Sequence, residues 1–176
     1  MSAATEETST NVPWPESPET GEVLARVDAL GPAWRERARA LDEGVEFPHE
    51  NFAEAKAAGL HALCLPTDYG GAGWWLAGRF SPWYKVLERM ARWETNTAQL
   101  LQVHNHAAGI IAFHSTPEQR DRFLPDIADG AFCASLGSEA HLYENGAEVL
   151  ESELTRVEGG YRLTARKGFA SVAAAA

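Results

Sequence analysis

Cysteine is scarce in this chain: two residues, Cys64 and Cys133, in 176. They form no CxxC, so no zinc or dithiol redox motif is visible. The simplest reading is two buried thiols kept reduced in a cytosolic protein. Basic charge is also sparse. Against 25 acidic residues stand 15 lysines and arginines, for a formal net charge of −10. An acidic surface repels phosphate backbones and argues against a nucleic-acid partner, although it leaves room for a local basic pocket. No apolar run approaches the ~20 residues of a membrane-spanning helix. The N-terminal stretch "MSAATEETSTNVPWPESPETG" lacks both a basic start and an apolar core, so it does not read as a signal peptide. A flexible tail over residues 1–19 and a cytoplasmic location are expected.

Apolar content is plentiful at 45%, with six tryptophans, enough for a globular core. From Thr20 the pattern turns helical, as Val23, Val27, Leu30, Trp34, Ala38 and Leu41 recur every three to four residues. Pro32 predicts a kink or a second start. Pro48 opens a short helix that buries Phe52, Ala55 and Leu60 and closes at Gly59. "CLPTDYGGAGWW" is a breaker-rich loop. Ser81 and Pro82 fit a cap and first position for a helix with Trp83, Val86, Leu87, Met90 and Ala91 inward. Thr97 can cap the next helix, which carries Leu100, Leu101, His104, Ala108 and Ile111 on one face. Thr116 and Gln119 match a capping box with Pro117 at the first helical position, and Phe123, Leu124 and Ile127 are expected to face inward. Gly130 ends that helix.

After Gly130 the pattern alternates, and Gly159-Gly160 between two such runs signals a hairpin. The fold expected is therefore mainly α: a helical N-terminal domain over 20–130, then an incomplete β-domain over 131–176. A lone hairpin with two open edges is marginal, so the β part is expected to need more strands.

Local motifs for chemistry are few. His104 and His106, two apart on a helix, point about 200° apart and cannot share a metal. Nothing resembles GxSxG, SxxK or a Cys-His pair. "YGGAG" lacks the lysine and spacing of a phosphate loop and reads better as a turn needing positive φ.

Taken in order, five stretches resemble the acyl-CoA dehydrogenase superfamily. They are "LPTDYGGAG", "YKVLERMARWE" with Glu88 and Arg92 as the usual pair, "HSTPEQRDRFLPDIADGAFCAS", "GSEA" and "VEGGYRLTARKGFAS". The resemblance covers about Val23 to Ser171. It implies an N-terminal helical domain, a middle β-barrel and a C-terminal helical bundle, of which this sequence covers the first and the start of the second. It implies a flavin, FAD with FMN as the other choice. Ser138 matches the hydroxyl residue facing the flavin ring. Ser135 and Leu136 lie on the strand that approaches the ring, Phe169 matches the aromatic residue packed on it, and Ser171 the hydroxyl beside it. A small-molecule substrate of the acyl-CoA or a related kind is implied, as is a homo-oligomer or association with a homologous subunit. The catalytic carboxylate of the family comes from the C-terminal part, so no residue here is assigned that role, and Glu139, which matches the family's glutamate, is not read as the base.

Departures keep alternatives open. Ala140 stands for the usual proline, "LYEN" for Gly-Ser-Asp, and Ala165 for a glycine. Branches that use reduced flavin and oxygen as monooxygenases vary here and resemble the chain too. A non-catalytic truncated homologue is the third reading, with apolar surface expected around Trp74, Trp75 and Trp83.

Overall fold

The structure is a computed structural model, and it describes residues 18–75, 80–139, 142–144 and 147–173. Five helices come first: α1 (Pro18–Gly44), α2 (His49–Ala57), α3 (Phe80–Trp93), α4 (Thr95–His114) and α5 (Pro117–Ala128). Single 3-10 turns at Leu60–Ala62 and Thr67–Tyr69 link α2 to the loop before α3. Strands β1 (Leu142–Glu144), β2 (Ala147–Val149), β3 (Glu153–Val157) and β4 (Gly160–Thr164) follow. They form two antiparallel ribbons, β1 with β2 and β3 with β4. The predicted tail lies almost wholly outside the described residues.

One core joins α1, α2, α3 and the start of α4 around Val27, Trp34, Phe52, Val86, Met90 and Leu101. A second lies between α4, α5 and the first 3-10 turn, around Leu65, Ala108, Leu124 and Ile127. Helix α1 runs unbroken through Pro32, so no second start divides it. Pro32 is exposed, while Gly31 and Trp34 beside it are buried. Gly31 is needed for a close approach: a Cβ there would lie 2.2 Å from the Trp93 ring. Trp93 in turn donates from Nε1 to Asp28 at 3.1 Å, and Arg35 lies 4.7 Å over its ring.

Several caps differ from expectation. Helix α4 is capped by Glu94, whose carboxylate accepts from the Asn96 and Thr97 amides at 2.9 and 2.6 Å. Thr97 is not the cap, because its hydroxyl is taken by Asn51 Nδ2 at 2.8 Å inside the core. The capping box of Thr116 and Gln119 is present as predicted, with Pro117 opening α5. Helix α3 starts at Phe80, which puts Pro82 in its first turn. Phe123 is 41% exposed while Leu124 and Ile127 are buried, and Ala91 also faces out.

Of the three tryptophans expected on an apolar surface, two are inside and the third is half-buried. Trp74 and Trp83 are core residues, and Trp74 Nε1 finds Glu19 at 3.2 Å, so its polar edge is satisfied without water. Trp75 is half-buried against Phe80 and His106. The "YGGAG" loop is a turn, with Gly70 and Gly73 at φ 76 and 65, a conformation that a side chain would strain. In the second hairpin the turn is Glu158-Gly159, one residue earlier than expected, because Gly160 already pairs with Val157.

Candidate functional site

The five residues singled out in the sequence fall on two segments that pair with each other. Ser135 bridges Ser171 and Glu139 bridges Lys167, both antiparallel. Each segment advances by the same number of residues between the two bridges, so they share one register. Between them the Gly168 amide donates to the Ser138 carbonyl at 2.8 Å. Leu136 and Phe169 lie within this ribbon and are exposed, Phe169 by 88%. Ser135, Ser138 and Ser171 are half-buried. Phe169 adopts φ 53, in the left-handed region, and the Ser171 amide closes a tight turn onto the Phe169 carbonyl at 2.9 Å. The ribbon therefore offers a flat aromatic ring, an aliphatic side chain and three hydroxyls along one short stretch.

Glu139 fixes the far end of the ribbon. Its carboxylate is buried and accepts from the Glu151 amide at 2.6 Å and the Ser152 amide at 3.1 Å. The Ser152 hydroxyl and the Lys167 ammonium also donate to it. The Lys167 contact first, then the Ser152 hydroxyl and the two amides, hold its pKa down to about 2. Glu139 is thus an anion occupied with structural partners. Its role as a clamp is not visible in the sequence, since its partners lie far along the chain.

On the helical side, the entry to the ribbon is held by His104. This residue is fully buried on α4. Its Nε2–H donates to the His61 carbonyl at 3.0 Å, and its Nδ1 accepts the Cys133 amide at 2.9 Å. A carbonyl can only accept and an amide can only donate, so these contacts define the neutral Nε2–H tautomer. Burial lowers its pKa to about 4, outweighing the hydrogen bond to the His61 carbonyl, which pulls it the other way. Asn105, next along, is saturated as well: it accepts the Cys64 amide and donates to the carbonyls of Leu60 and Leu101. The sequence placed His104 on the inward face but gave no hint of its partners. Burial also raises the pKa of both thiols, Cys64 to about 12. Neither serves as a ready thiolate.

A helical array feeding a β segment through short loops is a known arrangement, and comparison with known proteins defines it. Residues 28–131 match the family model described as acyl-CoA dehydrogenase, N-terminal domain. The chain belongs to that family. It is 28% identical over 134 residues to the mitochondrial isobutyryl-CoA dehydrogenase of Dictyostelium discoideum, an alignment covering 76% of this chain and 31% of that protein. Over 95 residues it is 39% identical to acyl-CoA dehydrogenase FadE12 of Mycobacterium tuberculosis, covering 52% of this chain and 23% of that one. The chain thus spans less than a third of the length of these curated relatives. Two solved structures share the fold. One comes from work on the electron transferring flavoprotein of Acidaminococcus fermentans and flavin-based electron bifurcation, with TM-score 0.74, 18% identity, and coverage of 94% of this chain and 43% of that one. The other is FMN-bound TdsC from Paenibacillus sp. A11-2, with TM-score 0.69, 18% identity, and coverage of 84% and 36%. The Glu88–Arg92 pair of the family motif is formed, at 2.5 Å.

Among the described residues no helix is long and apolar enough to cross a membrane.

Proposed function

We propose that this chain is the N-terminal portion of a flavin-dependent oxidoreductase of the acyl-CoA dehydrogenase type, acting on an acyl thioester or a related small molecule. The observation that carries the reading is the shared register of the 135–139 and 167–171 segments, which gathers Ser135, Leu136, Ser138, Phe169 and Ser171 on one exposed ribbon. Family membership supports it.

The ribbon suits one part of a flavin. An exposed phenyl ring can stack on a flat heterocycle, and hydroxyls and strand amides can meet its polar edge. Nothing in the ribbon suits a pyrophosphate, because Lys167, its cation, is engaged by Glu139. A flavin held there supplies two-electron chemistry, accepting a hydride equivalent from a substrate. The residues of this chain have other tasks. Phe169 covers one ring face and sheds water from it. Ser138 and Ser171 orient donors toward the ring edge, and Leu136 provides apolar contact. The base for proton removal, the phosphate-binding groups and the subunit contacts are expected outside these residues, in a homo-oligomer or with a homologous partner. The paucity of cysteine and the absence of a disulfide pair fit a cytoplasmic setting.

A second reading, a reduced-flavin-dependent monooxygenase on the same scaffold, is favoured by the altered "GSEAHLYENG" stretch and by the likeness to FMN-bound TdsC. A non-catalytic homologue is the third. Titrating the 176-residue chain with FAD and with FMN, read by flavin fluorescence, separates them from the first. Saturable binding that Phe169→Ala weakens about three- to tenfold, the range expected for an aromatic stack, supports the flavin ribbon. The ring is almost fully exposed, so its removal leaves the core intact. Equal binding by the variant, or none by the wild type, overturns the reading. Tighter FMN than FAD binding points to the monooxygenase.

A further inference from the structure

Helix α5 ends at Ala128, and the chain reaches Ser135 within a few residues. Over that span it is tied to the helices at successive points. The Gly130 and Ala131 amides return to Ile127 and Asp126 carbonyls at 3.0 and 2.8 Å. The Phe132 ring packs edge-on against Phe52 and His104, at 4.8 and 5.6 Å. The Cys133 amide then donates to His104 Nδ1. Among the described residues this is the last hydrogen bond to the helices before the ribbon begins.

The imidazole is also bound on its other edge. Its Nε2–H is fixed by the His61 carbonyl, and His61 Nε2 reaches the Ala128 carbonyl at the end of α5, at 2.9 Å. The ring therefore has no freedom to swing away from Cys133 without breaking a second buried bond. A rigid ring carrying one acceptor and one donor on opposite edges ties two backbone segments at a fixed separation. We propose that His104 is a positioning residue for the flavin-facing ribbon: by holding the Cys133 amide it sets where the backbone from Ser135 to Ser138 lies relative to α4. The proposal rests on the flavin reading of that ribbon.

Two substitutions separate the two edges of the ring. His104→Asn keeps an acceptor near the Nδ1 position, and His104→Gln places its amide near Nε2 and leaves Cys133 without an acceptor. In the flavin-free chain, amide hydrogen exchange at Cys133 should quicken about tenfold or more in His104→Gln, the equivalent of one lost buried hydrogen bond. Exchange within α3 should stay near the wild type, which shows that the bundle is folded. His104→Asn should restore slow exchange at Cys133. In flavin titrations the same order should hold, with His104→Gln weaker than wild type by about fivefold or more and His104→Asn close to it. Unchanged exchange at Cys133 in His104→Gln, or equal behaviour of the two variants, overturns the proposal. A wild-type measurement guards against a variant that fails to fold: nitrogen NMR of the His104 ring must show the Nε2–H tautomer, and the Nδ1–H form overturns the assignment. If the wild type binds no flavin, the proposed function falls, while the exchange comparison still upholds or refutes the anchoring by itself.

Discussion

Replacing His104 by leucine should change how the stability of this protein depends on pH as well as its size. In the folded state the ring is neutral, buried and bound to two backbone groups. Burial carries its pKa from the ordinary 6.5 to about 4. Between those values the unfolded chain takes up a proton that the folded chain refuses. Acid therefore favours unfolding: the contribution of His104 is complete above pH 6.5 and is lost as pH falls toward 4. Linkage puts the loss at about 2 kcal/mol between pH 7.5 and pH 5, and about 3 kcal/mol by pH 4.

The leucine variant removes this titration and exacts a different cost. It strands the His61 carbonyl and the Cys133 amide in the interior, each worth about 1–3 kcal/mol. At pH 7.5 it should be less stable than wild type by about 2–5 kcal/mol. At pH 5 the gap should shrink by about 2 kcal/mol, because only the wild type has the His104 imidazole, which takes up a proton on unfolding. Titrating groups remote from His104 are common to both proteins and cancel in the difference; His61, whose ring stacks on His104 at 6.4 Å, is the one neighbour whose surroundings the substitution changes. Urea unfolding followed by far-ultraviolet circular dichroism at the two pH values gives the four free energies needed. A gap that is the same at pH 7.5 and pH 5 refutes the reasoning, as does a His104 pKa above 6 measured by NMR.

Three other outcomes follow from the structure. Gly31→Ala puts a methyl group into the Trp93 ring and should cost about 1–3 kcal/mol in thermal or urea unfolding, although alanine is the better helix former. Thr116→Ala removes one half of the capping box and should cost about 1 kcal/mol by the same measurement, with Thr116→Ser close to wild type. Glu139→Gln should loosen the ribbon while sparing the helices, seen as faster proteolysis between 140 and 170 at pH 7. In the wild type the same loosening should appear as pH falls below the ordinary carboxylate value of 4.5 toward about 2, since a lowered carboxylate pKa stabilises above that range and is lost beneath it.

The helices were legible because their signals are local. The Thr116–Gln119 box, Pro117 and the spacing of Leu124 and Ile127 all lie within one or two turns, and each reappears in α5. What failed depended on competition with distant groups. Thr97 carries the right hydroxyl for a cap, but a buried Asn51 takes that hydroxyl and leaves the capping to Glu94. Pro32 carries the right chemistry for a second helix start, but α1 continues through it with the buried Trp34 just beyond. Trp74 and Trp83 look like surface for a missing partner only until Glu19 and the α1–α3 contact are known. The candidate ribbon was legible as a set of residues through resemblance alone. Its register, the clamp at Glu139 and the tie through His104 join residues whose separations no periodicity encodes.

That division also explains how so exposed a β segment is held in place. Every residue of β3 and β4 is exposed, including Leu154, Tyr161 and Leu163. A two-stranded ribbon of this kind gains little from burial and is marginal on its own. Its position must come from its ends. Glu139 takes the amides of Glu151 and Ser152, just before β3, and the ammonium of Lys167, just after β4. One carboxylate therefore grips both legs of the hairpin at the base. Its own backbone bridges Lys167 in the same register that joins Ser135 to Ser171. His104 secures the other end of that register to α4. Between these two anchors the Ser135–Ser138 backbone is tied at both ends, with Ser135 and Ser138 half-buried, while Phe169 stays 88% exposed.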